Sequence, residues 1–269
     1  MAALDAVAGW PVGVAAVGVV GAAGTLETAG PLDRPLRWAS LTKLVTALAA
    51  LVAVEEGILG LDQPAGPPGV TVRHLLAHAG GFGPDGTVLA RPGTRRIYTN
   101  IGYELLGDTV AEASELGFAT YVDEAVLAPL GLEGTTLDGS PASGAVGPGR
   151  DLLRLGTELM APGLLAPSTL AEATTVAFPG LAGVLPGFGQ QQTNDWGLGP
   201  EIRDHKSPHW TGARNSPRSF GHFGQAGGFL WVDPEAGLAC ACLTDRSFGP
   251  WALEAWPPLS DAVLAAHAP

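Results

Sequence analysis

Residues 40–54 read SLTKLVTALAALVAV, a stretch with a single charged residue, Lys43. The stretch has the length of a helix, shows no strand-like alternation and is apolar nearly all the way round, so it predicts a buried helix. Ser40 stands three positions before Lys43, and residues three apart share one face of a helix. The sequence therefore sets a serine hydroxyl beside a lysine amine in an apolar environment.

Burial of this amine has a consequence for its protonation. Desolvation disfavours the ammonium form and lowers the lysine pKa, and a neutral amine is a base. A hydroxyl beside such a base is an activated nucleophile. The structural alternative is a lysine that reaches solvent along its apolar stem, and the spacing of Ser40 and Lys43 alone is consistent with both.

The composition narrows the function classes. The chain has 269 residues, 46% of them hydrophobic, which is enough for one large domain or two closely joined subdomains. Its formal net charge is −12, and Arg95-Arg96 is the only adjacent basic pair. Nucleic acids and anionic membrane surfaces require clustered Lys and Arg, so neither is expected as a partner.

The apolar stretch Trp10–Gly24 is not predicted to be a signal peptide, because the first basic residue, Arg34, comes after it. No segment has the length of a membrane span, so we expect a soluble, cytoplasmic protein. Cys240 and Cys242 are the only cysteines, and in a strand they would share a face without pairing. Neither a metal cage nor a disulfide framework is expected.

Predicted β segments lie near both ends of the chain, and most predicted helices lie between them. The β segments cover residues 11–20, 25–30, 227–232 and 237–243; the helices cover residues 71–78, 102–115, 118–127, 150–160 and 167–176, with a final helix at 258–267 after Pro257-Pro258. We therefore predict an α/β (α+β) fold with an antiparallel sheet built from both termini, flanked by helices, and an inserted, mainly helical subdomain. Within this single domain, residues 1–61 and 191–269 form the α/β subdomain and residues 62–190 the helical one.

A second polar group follows at Tyr98-Thr99-Asn100, between a turn and a predicted helix. A phenol can relay protons when a nearby cation such as Lys43 lowers its pKa. An amide can hold a substrate carbonyl with one end and a lysine with the other. Taken alone, the same residues also suit an aromatic packing contact and a helix cap.

A third group, His222-Phe223-Gly224-Gln225, opens a predicted β hairpin. His222 offers a donor or a positive charge, and a glycine in the strand lets a substrate lie against the strand edge. The backbone N–H groups of Ser40 and Gln225 would then form an oxyanion hole.

The ordered set of Ser40-Leu41-Thr42-Lys43, Tyr98-Thr99-Asn100 and His222-Phe223-Gly224 resembles the serine β-lactamase and penicillin-binding-protein-like superfamily, especially its class C β-lactamase-related branch. Further stretches that look like landmarks of this family are residues 61–64, 74–82, 103–107, 129–132 and 196–199. The resemblance implies a β-lactamase/transpeptidase-like fold. The branch also includes esterases, D-amino-acid peptidases and transesterases, so the resemblance names a superfamily and no substrate.

By this resemblance the protein is a serine hydrolase, acting as an esterase, amidase or acyltransferase through a Ser40 acyl-enzyme. Lys43 and Tyr98 are the implied acid/base groups, and the implied substrate and oxyanion contacts are Asn100, His222, Gly224 and Gln225. No cofactor and no metal are implied. The expected partner is a small ester or amide substrate.

One departure from the family pattern bears on the substrate. Many members have Lys-Thr-Gly where this chain has His222-Phe223-Gly224, and Phe223 cannot give a substrate carboxylate the hydrogen bond that a threonine gives. We therefore expect esters to be preferred over β-lactams, and a β-lactamase or D-amino-acid peptidase is the alternative hypothesis. A catalytically silent module that binds a small acyl compound is the rival from another class.

Two further groups of histidines are less informative. His74 and His78 have the four-residue spacing of a metal pair on a helix, but no third ligand is evident, so we interpret them as structural. Asp204, His205 and His209 lie in a polar loop before the third motif, and they either line the mouth of a pocket or form a plain surface loop.

Overall fold

A computed structural model describes residues 2–269. The strands are β1 Ala15–Gly21, β2 Gly24–Ala29, β3 Pro35–Arg37, β4 Thr136–Leu137, β5 Ala145–Pro148, β6 Gly183–Leu185, β7 Gly189–Gln191, β8 Glu201–Ile202, β9 Phe220–Gly224, β10 Gly228–Asp233 and β11 Leu238–Thr244. The helices are α1 Thr42–Glu55, α2 Val72–Leu76, α3 Ile101–Ser114, α4 Phe118–Val122, α5 Gly149–Met160, α6 Pro167–Ala173 and α7 Pro250–His267. No helix within the described residues is both long and apolar enough to cross a membrane.

The central sheet has six antiparallel strands in the order β2-β1-β11-β10-β9-β8. Its strands come from the two ends of the chain, and the helices α1 to α6 lie between them in sequence. The predicted α/β fold, with an antiparallel sheet built from both termini, is therefore confirmed. The proposed division at residues 61/62 and 190/191 stays a prediction.

The central strands β1, β10 and β11 are buried on both faces, which explains their continuous apolar sequences, whereas the edge strand β2 is largely exposed. Along β11, Ala239 and Ala241 face the core shared with α1, whereas Cys240 and Cys242 face α7 and are free, buried cysteines. The helix α5 lies directly on the first of these faces, because Gly18 of β1 has no side chain: a Cβ there would lie 2.5 Å from the Leu153 side chain.

Three predicted helices differ from the structure. The helix at 118–127 has the predicted bounds, but its second half, Asp123–Leu127, is π-helical; α6 ends at Ala173 instead of residue 176; and α7 begins at Pro250 instead of after Pro257-Pro258. A proline inside a helix removes one hydrogen bond to the carbonyl four residues earlier. Here those carbonyls belong to Leu253 and Glu254, both on the exposed face of α7, so water can replace the lost donors.

A buried polar cluster fixes the short edge strand β8 against β9. Glu201 accepts hydrogen bonds from Lys206 Nζ at 2.7 Å, from His209 Nε2 at 3.0 Å and from Trp210 Nε1 at 2.6 Å. Lys206 also donates to the Ile202 carbonyl at 2.6 Å. Burial opposes the charge of Glu201, but Lys206 and His209 hold the pKa of this carboxyl below its usual range. A plain surface loop, one of the two alternatives for residues 204–209, does not describe His209, because this residue is buried in the cluster. His205, in contrast, is exposed.

Removal of the Lys206 amine tests this cluster. We expect Lys206→Met to lower the free energy of unfolding by about 3–5 kcal/mol, because it leaves a buried carboxylate without its counter-charge. The double variant Lys206→Met with Glu201→Gln removes both charges and is expected to recover part of that loss. Urea unfolding at pH 7 measures both. A double variant less stable than the single one would contradict the ion-pair interpretation.

Candidate active site

Ser40 lies in a tight turn that leads into α1. Residues Ala39–Leu41 form one turn of 3₁₀ helix, and Ala39 has a left-handed backbone with φ 47°. A non-glycine residue in this conformation stores strain, which surrounding contacts must hold. Trp38 supplies them: it is fully buried, its backbone N–H donates to the Ala145 carbonyl at 2.9 Å, and its indole donates to the Gly147 carbonyl at 3.2 Å.

Lys43 is fully buried, as the sequence predicts, and does not reach solvent. Its Nζ lies 3.3 Å from Ser40 Oγ, 2.7 Å from Asn100 Oδ1 and 3.0 Å from the Ala142 carbonyl oxygen. Burial lowers the pKa of this amine to about 7, against a smaller raising effect of the negative charge of Glu104. The ordinary lysine pKa is 10.5, so the structure favours a neutral amine at slightly alkaline pH.

A buried arginine, Arg96, fixes the segment that carries Tyr98 and Asn100. Arg96 donates to the carbonyls of Ala77, Ala177, Phe178 and Asn194, and thereby ties the segment before Tyr98 to three neighbouring loops. Asn100 is the residue before the first turn of α3. Within this segment, the Tyr98 hydroxyl donates a hydrogen bond to Ser40 Oγ at 2.8 Å.

The expectation that nearby cations lower the pKa of Tyr98 is wrong. Burial raises the pKa of this phenol well above its ordinary value, and the hydrogen bond to Ser40 only partly opposes the effect. A neutral amine at Lys43 carries no charge that would counteract burial. Tyr98 is therefore a protonated phenol at neutral pH, whereas a large fraction of Lys43 is in its unprotonated form.

His222 does not carry the positive charge that the sequence analysis allows. Its Nδ1 lies 2.7 Å from the Phe223 carbonyl oxygen, which can only accept, so Nδ1 holds the ring proton. Its Nε2 is buried and has no hydrogen-bond partner among the described residues. Burial, with a contribution from Lys43, lowers the pKa of His222 to about 3. The imidazole is thus neutral, and its free nitrogen is an acceptor.

Gly224 allows β9 to approach the turn that carries Ser40. A Cβ at this position would lie 2.4 Å from the Trp38 carbonyl oxygen and 3.4 Å from the Ser40 backbone nitrogen. Only glycine permits this contact without moving the strand. The next residue, Gln225, follows directly on the strand, and its side-chain amide donates to the Phe248 carbonyl at 3.3 Å.

These residues surround one cavity of about 210 Å³. Its lining combines the polar residues above with an apolar wall: Ser40, Tyr98, Asn100, Leu185, Pro186, Trp196, His222, Phe223 and Gln225. Every predicted site residue except Lys43 and Gly224 is part of this lining; Lys43 lies behind Ser40, and Gly224 lies against its backbone. No Lys or Arg is part of it, and among residues 2–269 no group of His, Cys, Asp and Glu has the arrangement of a metal site.

Several site residues carry no signal that the sequence analysis recognised. Ala142 contributes only a backbone carbonyl. Leu185 and Pro186 come from the β6–β7 hairpin, which is distant in sequence from every polar motif. His78 is buried, and its ring lies 4.5 Å from the Tyr98 ring, centroid to centroid; its interpretation as structural stays a prediction. His74 accepts from its neighbour Thr71 at the start of α2.

Comparison with known proteins shows the fold and the family of the chain. The crystal structure of a protein from Mycobacterium bovis, described as a beta-lactamase, is 54% identical to this chain with a TM-score of 0.98; the match covers 99% of this chain and 100% of the other. Simvastatin synthase LovD from Aspergillus terreus has the same fold, with a TM-score of 0.83 at 17% identity over 98% of this chain and 96% of the other.

A curated relative is the D-alanyl-D-alanine-carboxypeptidase/endopeptidase AmpH of Escherichia coli strain K12, which is 27% identical over 148 residues. That match covers 41% of this chain and only 38% of the length of AmpH. The family model described as Beta-lactamase matches residues 1–264, almost the whole sequence. The chain therefore belongs to the Beta-lactamase family, whose members are serine hydrolases.

Proposed function

We propose that the protein hydrolyses small, neutral carboxylic esters through an acyl-enzyme on Ser40. One observation carries the proposal: a buried lysine amine and a phenol both contact the same serine hydroxyl, at 3.3 and 2.8 Å, on the wall of a cavity. A silent binding module would not require a buried amine with a strongly lowered pKa, which is the property that a general base needs near neutral pH.

The contacts of Lys43 explain how it can act as the base. The Asn100 Oδ1 and Ala142 carbonyl oxygens accept hydrogen bonds and cannot donate them, so they take up two N–H groups of the amine. The neutral amine has one position left, its lone pair, and the remaining contact is Ser40 Oγ. The Ser40 proton then moves to Lys43 as Oγ bonds to the ester carbonyl carbon.

The remaining steps need an oxyanion site and an acid. In the proposal, the backbone N–H groups of Ser40 and Gln225 stabilise the oxyanion, since Gly224 brings the two segments together. The alcohol leaves as the C–O bond breaks and takes the Tyr98 hydroxyl proton, which the Lys43 ammonium replaces. Because its own pKa is high, Tyr98 acts as a relay and does not remain a phenolate. Water then attacks the acyl carbon and gives a proton to Lys43 through Tyr98. The bond between that carbon and Ser40 Oγ breaks as Lys43 returns the proton to Oγ, and the carboxylic acid is released.

The cavity supports a small, uncharged substrate. Its volume of about 210 Å³ is below the range typical of drug-sized ligands. Its lining contains no Lys or Arg, and His222 is neutral, so a substrate carboxylate would find no counter-charge there. The runner-up is β-lactam hydrolysis, which is favoured by the description of the 54% identical Mycobacterium bovis protein as a beta-lactamase.

Covalent labelling tests the nucleophile. We expect p-nitrophenyl butyrate to leave one butyryl group on the peptide that contains Ser40, as measured by intact-protein and peptide mass spectrometry. Ser40→Ala is expected to keep the fold and lose both the adduct and turnover, because little volume changes. Ser247→Ala, at an exposed serine, is the matched control and should retain both. An adduct on another serine would refute the assignment.

The base is tested by the pH dependence of the reaction. We expect kcat/KM of the wild-type enzyme to fall as the pH drops through about 7, because protonation of Lys43 removes the base. Lys43→Met, which keeps the apolar stem, is expected to lower kcat/KM by about 10²- to 10⁴-fold. Unchanged activity in this variant would show that another group takes the Ser40 proton.

The preference for neutral substrates is tested with a matched pair of esters. The p-nitrophenyl esters of monomethyl succinate and of succinate share a leaving group and differ by one negative charge. We expect the neutral ester to be hydrolysed roughly ten- to a hundredfold faster in kcat/KM, because the anion must be desolvated without a partner. The ratio should stay constant between pH 8 and pH 7, where the succinate carboxylate is ionised and His222, with a pKa of about 3, stays neutral.

A chromogenic cephalosporin, assayed on the same preparation, separates the two candidate functions. The ester hypothesis predicts slower turnover of the cephalosporin than of the neutral ester at pH 7.5. Faster cephalosporin hydrolysis, or an anionic ester that outruns the neutral one, would favour the β-lactamase hypothesis instead.

A further inference from the structure

A chain of contacts connects a carboxylate on α3 to the proposed base. Glu104 lies in the first turn of α3, and its carboxylate accepts a hydrogen bond from the Ser140 hydroxyl. The same Ser140 oxygen accepts from the Ala142 backbone N–H at 3.0 Å. The Ala142 carbonyl in turn accepts from Lys43 Nζ at 3.0 Å. Glu104 thus holds the loop that supplies one of the three oxygen contacts of the amine.

The 140–145 loop has further attachments to α1, so its position relative to Lys43 is well defined. Thr46, one turn after Lys43, donates to the Pro141 carbonyl at 2.6 Å. The Ala145 N–H donates to the hydroxyl of Thr42 at 3.0 Å. These contacts hold Pro141 and Ala145 from α1, whereas Glu104 holds the first residue of the loop, Ser140, from α3.

Glu104 also differs in charge from every other group around the amine. Among the described residues, the titratable groups that face Lys43 are two phenols, two imidazoles and one carboxylate: Tyr98, Tyr103, His78, His222 and Glu104. Burial raises the pKa of both phenols and lowers the pKa of both imidazoles, so all four are neutral near pH 7. Glu104 is the one group whose charge favours the ammonium form of Lys43.

We propose that Glu104 is a positioning residue that holds the Ala142 loop against Lys43 and sets the pH range in which this amine works as a base. The inference rests on the proposed function, because it assigns Glu104 a role through Lys43. Two opposing effects then fix that range: desolvation moves it to lower pH, and the carboxylate moves it back towards neutrality. Without Glu104 the amine would be a weaker base, since a lower pKa means less affinity for the Ser40 proton.

The charge and the hydrogen bond can be removed separately. Glu104→Gln removes the charge, but its amide oxygen can still accept from the Ser140 hydroxyl. Ser140→Ala removes the link to the loop and keeps the carboxylate. We expect the acidic limb of the kcat/KM profile to move to lower pH by about half a unit or more in Glu104→Gln. In Ser140→Ala we expect a loss of about three- to tenfold in kcat/KM, with a smaller movement of the limb.

The matched control is Glu112→Gln. Glu112 lies on the same helix, eight residues further on and exposed, so its charge is screened by solvent. The Glu112→Gln variant should leave the pH profile of kcat/KM unchanged. The profiles are recorded with the neutral p-nitrophenyl ester from pH 5 to pH 9, and circular dichroism establishes that each variant is folded.

The outcomes separate this inference from the proposed function. An unmoved acidic limb in Glu104→Gln, or an equal shift in Glu112→Gln, overturns the role of Glu104 and leaves Lys43 as the base. Full activity of Lys43→Met in the same series overturns the base itself, and the role of Glu104 with it. A shift confined to Glu104→Gln supports both. If Glu104→Gln does not fold, Ser140→Ala decides: wild-type kcat/KM in this variant overturns the positioning role.

Discussion

The site depends on the burial of one amine. Lys43 Nζ is enclosed by α1, the start of α3 and the 140–145 loop, and no carboxylate hydrogen-bonds to it directly. A displacement of its pKa from 10.5 to about 7 corresponds to a free energy on the order of 5 kcal/mol against the charged form. The packing of α1, which is buried along nearly its whole length, must supply that energy.

The remaining architecture brings distant segments to that amine. The sheet joins the two ends of the chain, so that Gly224 of β9 lies against the turn that carries Ser40, although the two are far apart in sequence. The edge of the same sheet is held by the buried pair of Glu201 and Lys206. The chain's two lysines therefore serve opposite purposes. Lys206 is paired with a carboxylate, whereas Lys43 lacks such a partner and is the base in the proposed function.

The sequence predicts those parts of the structure that arise from local spacing and residue type. The three-residue spacing of Ser40 and Lys43, the apolar run after them and the β segments at both ends are enough for the fold and for the centre of the site. Contacts made by backbone atoms do not depend on residue type and cannot be predicted in this way; the Ala142 carbonyl is an example. The protonation of His222 and Tyr98 depends on burial, which a motif does not reveal. The early start of α7 depends on which of its carbonyls face water.

The central claim is that Lys43 is neutral in the resting enzyme, and its titration tests that claim most directly. The chain has only two lysines, so ¹³Cε-labelled lysine gives two NMR signals, and Lys43→Met identifies which one belongs to Lys43. We predict that the Lys43 signal of the wild-type protein titrates with a midpoint near 7. A midpoint above about 9.5, close to that of an exposed lysine, would contradict the role of this amine as the base.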